Sequence, residues 1–130
     1  MEAGSNHLYP IQTVDGQVAY EGGSELRSAC AALPIVQAEN VRCPTGSATL
    51  TKAYGSLLKN YQFIIHAVAP FRSDEQWESV LSNTYANTFN QLLHTHVQHD
   101  DVSDRAHTVA IPLLGTYDLP LSLLNDQFFL

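Results

Sequence analysis

The sequence predicts a single α/β domain, and three observations carry that expectation. Ala48 to Thr51 alternates apolar and polar residues, and Phe63 to Val68 is continuously apolar except for His66, as half-buried and buried strands do. Around these segments apolar residues recur at i, i+3, i+4 spacing, the period of an amphipathic helix. No repeat, low-complexity stretch or linker interrupts the 130 residues, so residues 1–130 read as one unit with a real but modest core.

Taken in order, Leu8, Ile11 and Val14 lie in a weakly strand-like stretch that stops at Asp15-Gly16, a turn signal. After Gly22-Gly23, the residues Leu26, Ala29, Cys30 and Leu33 follow helical spacing until Pro34, which predicts a short helix. The Ala48 strand comes next, then a loop flanked by Tyr54 and Tyr61, then the Phe63 strand, whose apolar run places it at the centre of a sheet. Ser73 and Gln76 have capping-box spacing, and Trp77, Val80, Leu81, Thr84, Tyr85, Thr88, Phe89, Leu92 and Leu93 continue as the strongest helical pattern in the chain. Trp77 and Phe89 fit its packing face. "HTVAIPLL", His107 to Leu114, predicts a further buried strand over Thr108 to Leu113, and Asp118 before Pro120 opens a last short helix through Leu121, Leu124 and Phe128.

Thirteen acidic and six basic side chains give a formal charge of -7, a field that opposes nucleic acid and anionic lipid as partners. Cys30 and Cys43 show no CxxC spacing and read as free thiols in a reducing compartment. "MEAGSNHLYP" has no basic region or apolar core, and no apolar run approaches bilayer length, so the expectation is a soluble intracellular protein of cytoplasm or nucleus with no membrane contact.

In an open sheet with this element order, ligands sit beyond the strand carboxyl ends and near helix N-termini. Those places are Asp15-Gly16, the segment Ala69 to Ser73 around Phe71, and Gly115 to Asp118. His66 reads as a buried structural histidine with bonded ring nitrogens. "HTHVQHDD" gathers His94, His96, His99, Asp100 and Asp101, but it lies where a helix gives way to a polar loop and no distant fourth ligand is indicated, so it reads as solvated loop and not as a metal site.

"CPTGSATLT", then "YQFIIHAVAP", then "TYANTFNQLL", then "TVAIPLLG" resembles the macro domain family, whose members bind ADP-ribose and in some branches remove it from proteins. The likeness runs from Val14 to about Leu124, and the pairing of "CPTG" with "IIHAVAP" at this spacing is its most specific part. "VDGQVAYEGGSELRSAC" is similar to the family's "VDGAIHRAAGPELLEEC", which implies a ligand role for Asp15 and Gly16. Elsewhere the ligand loops depart from the family. "EAGS", Glu2 to Ser5, stands where the family has "NAAN", and "PIQT", Pro10 to Thr13, where it has glycines that let the backbone approach a diphosphate. The second phosphate loop is shortened to "GTYDLP", leaving Gly115, Thr116 and Tyr117 with Asp118 beside them. The resemblance also implies strands ahead of the "NAAN" position, including one carrying an adenine-recognising aspartate, that this sequence does not supply. Leu8 to Val14 is the expected replacement strand.

The expected fold is therefore a macro-like three-layer α/β/α sandwich with a reduced mixed sheet. Its expected function is weak recognition of ADP-ribose or a related nucleotide through Asp15, Gly16, Phe71, Gly115, Thr116 and Tyr117. A scaffold for protein contact without nucleotide ranks beside it, and a mono-ADP-ribosyl hydrolase with Asp15 positioning a water ranks below both. No cofactor is implied, and an exposed sheet edge favours a homodimer.

Overall fold

The computed structural model describes residues 13–98 and 108–115. In chain order it contains helix α1, Val14–Ala31, strand β1, Ala48–Lys52, a 3-10 helix, Gly55–Lys59, strand β2, Phe63–Ala67, and helix α2, Trp77–Gln98.

β1 and β2 pair antiparallel, with Ala48 opposite Ala67, Leu50 opposite Ile65 and Lys52 opposite Phe63. The 3-10 helix lies in the connection between them and carries Tyr54 and Leu57 into the core formed with α1. Because side chains alternate across a strand, Thr51, Ile64 and His66 face one way and Leu50 and Ile65 the other. Ile64 packs on the Leu26, Cys30, Ala53 and Leu57 cluster, and His66 meets Cys30, so the first face belongs to α1. α2 packs against both strands and makes no direct packing contact with α1 among the described residues, which puts it on the second face. The α/β class read from the sequence is the class observed. Among the described residues the sheet has two strands, paired antiparallel.

α1 begins earlier than its apolar spacing predicts. Thr13, in extended conformation, is the N-cap and accepts a hydrogen bond from the Gly16 N–H at 3.1 Å, with Asp15 in the first turn. Asp15-Gly16 is thus helix and not the turn that its dipeptide suggests. The helical run is bent at Gly23, whose φ of 62° and ψ of -154° suit glycine alone. That bend lets the chain cross the 3-10 helix at Gly55, where an added Cβ would run into the Glu21 carbonyl.

At α2 the capping box does not form. Gln76 has φ of 59°, outside the helical region, and Trp77 is the first helical residue. Asp74 instead closes the preceding turn by accepting the Phe71 N–H at 2.9 Å. The face of α2 also differs from the one expected. Thr84, Thr88 and Thr95 are buried, while Phe89 is 47% and Leu93 62% exposed. The buried threonines are compatible with a close approach because their hydroxyls bond carbonyls of their own helix: Thr84 to Val80, Thr88 to Thr84 and Thr95 to Leu92. Trp77 is half-buried, with the Arg72 guanidinium 5.7 Å over its ring.

The largest correction concerns Thr108 to Leu113. The segment has no strand pairing, and Val109, Ile111 and Leu113 are exposed. Apolar β-prone residues become a strand only when another strand lies alongside, and β2 pairs with β1 alone among the described residues. Its end is held differently, by the Tyr85 hydroxyl, which accepts the Leu114 N–H at 3.0 Å. The replacement strand expected at Leu8 to Val14 lies outside the described residues except for Thr13 and Val14, which cap and start α1. The helix expected from Asp118 lies wholly outside them.

Candidate functional site

The predicted site residues fall into two groups. At the start of α1, Asp15 is half-buried and Gly16 buried, the latter with its N–H already held by Thr13. The first two turns of this helix face the end of the 3-10 helix, where Val14, Gln17, Val18, Glu21, Leu57 and Tyr61 line a cavity of about 310 Å³. Tyr61 lies just ahead of β2. Glu21 is fixed there because its carboxylate accepts a hydrogen bond from the Ser56 hydroxyl.

The second group lies past the carboxyl end of β2. The Pro44 to Ser47 turn closes on that end through Gly46 N–H to Val68 C=O, 2.8 Å, and Val68 N–H to Ser47 C=O, 3.1 Å. The Asn87 side chain of α2 donates to the Gly46 carbonyl at 2.8 Å, fixing the turn against the helix. Gly46 also abuts Val80, and Gly115, at φ of 73°, abuts Leu81, so both glycines border the first turns of α2. Phe71 follows β2 and is 54% exposed. Thr116 and Tyr117 lie outside the described residues.

Between the groups, His66 is buried with its Nε2 2.9 Å from the Thr51 hydroxyl and 3.8 Å from the Cys30 sulfur. Burial holds its pKa down at about 4, so the ring is neutral at physiological pH. Burial likewise pushes the Cys30 and Cys43 thiols up, and both are free. A neutral imidazole beside a protonated thiol is a packed polar contact and not an activated nucleophile.

Among the described residues no cluster of three metal-binding side chains occurs. His94 is exposed on α2, the side chain of His96 is not described, and His99, Asp100 and Asp101 lie outside. No described helix is long and apolar enough to cross a membrane.

Sequence reasoning overlooked Thr13, Glu21 and Asp74. The first and last had a local signal: Thr followed by Asp15 suits a helix start, and Phe71 to Asp74 has the spacing of a side chain that closes its own turn. Glu21 had none, since its partner Ser56 is 35 residues away.

An α/β module with helices on both faces of a half-buried antiparallel strand pair is what the described fold defines. The sequence profile described as macro domain matches residues 2–121, and the chain belongs to that family, which generally binds ADP-ribose. It is 33% identical over 110 residues to a macro domain-containing protein of Vibrio parahaemolyticus, an alignment covering 82% of this chain and 56% of that protein. It is 34% identical over 87 residues to a macro domain-containing protein from Cupriavidus necator, covering 65% of this chain and 47% of that protein. The chain therefore spans about half the length of these curated relatives.

Proposed function

We infer that this domain recognises ADP-ribose or a related nucleotide weakly, by way of Asp15, Gly16, Phe71, Gly115, Thr116 and Tyr117. Family membership supports the ligand class. One observation supports the weakness: backbone donors in two of the candidate loops are already taken by the chain's own side chains, Gly16 N–H by Thr13 and Phe71 N–H by Asp74. A diphosphate bound there would have to displace a hydroxyl in one place and a carboxylate in the other, and the second also repels it. The net charge of -7 works in the same direction.

Calorimetry with free ADP-ribose tests this reading. The expected dissociation constant is weaker than about 10 μM, or roughly -7 kcal/mol, and a sub-micromolar constant overturns it. Hydrolysis is assayed on a mono-ADP-ribosylated protein. Rapid release that Asp15→Ala abolishes would put the enzyme in place of the binder.

A protein-contact scaffold is the second reading, favoured by the exposed apolar residues Phe89 and Leu93 on α2 and Val109, Ile111 and Leu113 on the segment beside it. Light scattering at several concentrations, with and without Leu93→Asp, tests whether that surface makes a protein contact, whereas the homodimer expected at the sheet edge would persist in Leu93→Asp.

A further inference from the structure

The cavity between α1 and the 3-10 helix has a composition ill suited to a nucleotide. Val14, Val18, Leu57 and the Tyr61 ring supply apolar walls, Glu21 supplies a carboxylate, and none of the described lining residues is basic. The positive end of the α1 dipole is offset locally by Asp15 and by the Thr13 cap.

We propose that this cavity binds the arginine side chain of a partner polypeptide, with the guanidinium on Glu21 and the alkyl stem along Val18, Leu57 and Tyr61. Charge complementarity carries the choice of occupant. Glu21 lines the cavity, and the Ser56 hydroxyl donates to only one of its carboxylate oxygens, so the carboxylate keeps acceptor sites for a charged donor. A planar guanidinium also stacks on an aromatic face, and Tyr61, 46% exposed, offers one. The rim favours a polypeptide over a free amine: Val14, which lines the cavity, is 58% exposed, an apolar area that residues flanking the arginine would cover. The cavity does not include Phe71 or Gly115, but Thr13, Val14 and Gln17 flank Asp15 and Gly16, so nucleotide held at those two residues and an arginine at Glu21 would be neighbours.

The test uses the full chain and two acetylated pentapeptides, one with arginine between leucines and the other with citrulline, its neutral isostere. Titration followed by NMR shifts should show the arginine peptide binding about tenfold more tightly, the magnitude of one charge-assisted hydrogen bond. Glu21→Gln should bring the ratio to about one, Tyr61→Ala should weaken both peptides, and Glu78→Gln on exposed α2 should leave the ratio as it is. If Glu21→Gln loses its cooperative melt, the salt dependence of the wild-type ratio decides, since a charge pair fades at high ionic strength. Equal binding of the two peptides, no binding of either, an unchanged ratio in folded Glu21→Gln, a salt-insensitive ratio, or methylguanidine binding as tightly as the arginine peptide each overturns the proposal.

Discussion

The two faces of the β1–β2 hairpin are built to different rules. The α1 face is closed: Leu26 is 2% exposed and Ala53 2%, and His66 and Thr51 satisfy each other inside it. The α2 face is closed by threonines that bond to their own helix, while Phe89 and Leu93 stand outside. Apolar periodicity alone does not distinguish these cases. What separates them is whether a neighbouring element lies alongside to receive the apolar stripe, as the 3-10 helix does for Leu26 and as no described element does for Leu93.

Truncation should expose that difference most strongly. Leu26→Ala, in the closed face, should cost about 3–5 kcal/mol in denaturant unfolding, because a fully buried leucine leaves a cavity when removed. A loss under about 1 kcal/mol would show that the α1 face is as open as the other.

Acid should act on the same face. The unfolded chain protonates His66 near pH 6.5, whereas burial delays protonation in the folded chain to about pH 4. Between those values the unfolded state holds more protons, so stability is retained above pH 6.5 and falls as pH drops, by roughly 3 kcal/mol once pH 4 is reached. His66→Gln should flatten that part of the curve measured by urea melts from pH 7 to 4. An unchanged slope would move the acid response to other groups.

Gly55→Ala should cost roughly 2 kcal/mol, since φ is 58° and the added methyl would collide with the Glu21 carbonyl. The smallest effect belongs to the outward side of α2: Leu93→Ser should change stability by less than about 0.5 kcal/mol. A loss of 2 kcal/mol or more there would mean that Leu93 is covered in solution and the contrast between faces fails.

How far the sequence disclosed this arrangement depended on whether each element was specified locally. β1 and β2 were legible because alternation and an apolar run bounded by turn residues need no distant information, and both emerged within a residue of expectation. α2 was legible in kind, but its starting residue was hidden by the left-handed Gln76 and its buried face by threonines that look polar in isolation. The first half of α1 was obscured by Asp15-Gly16 and Gly22-Gly23, dipeptides that usually end structure and here lie within a kinked helix. Thr108 to Leu113 had strand composition but pairs with no strand among the described residues, a condition that only tertiary structure reveals. At the candidate site, His66 was read as buried and bonded, as observed, whereas the Glu21–Ser56 pair arises from folding alone.

The central claim is that a retained macro scaffold has loops that its own side chains occupy, and Asp74 offers the most direct test. Asp74→Ala removes the carboxylate that accepts the Phe71 N–H and, with it, a negative charge from the loop after β2. Titrated with ADP-ribose beside the wild-type chain, it should bind roughly fivefold more tightly, the size of one hydrogen bond regained together with relief of repulsion. Equal or weaker binding by a folded Asp74→Ala variant would contradict the claim.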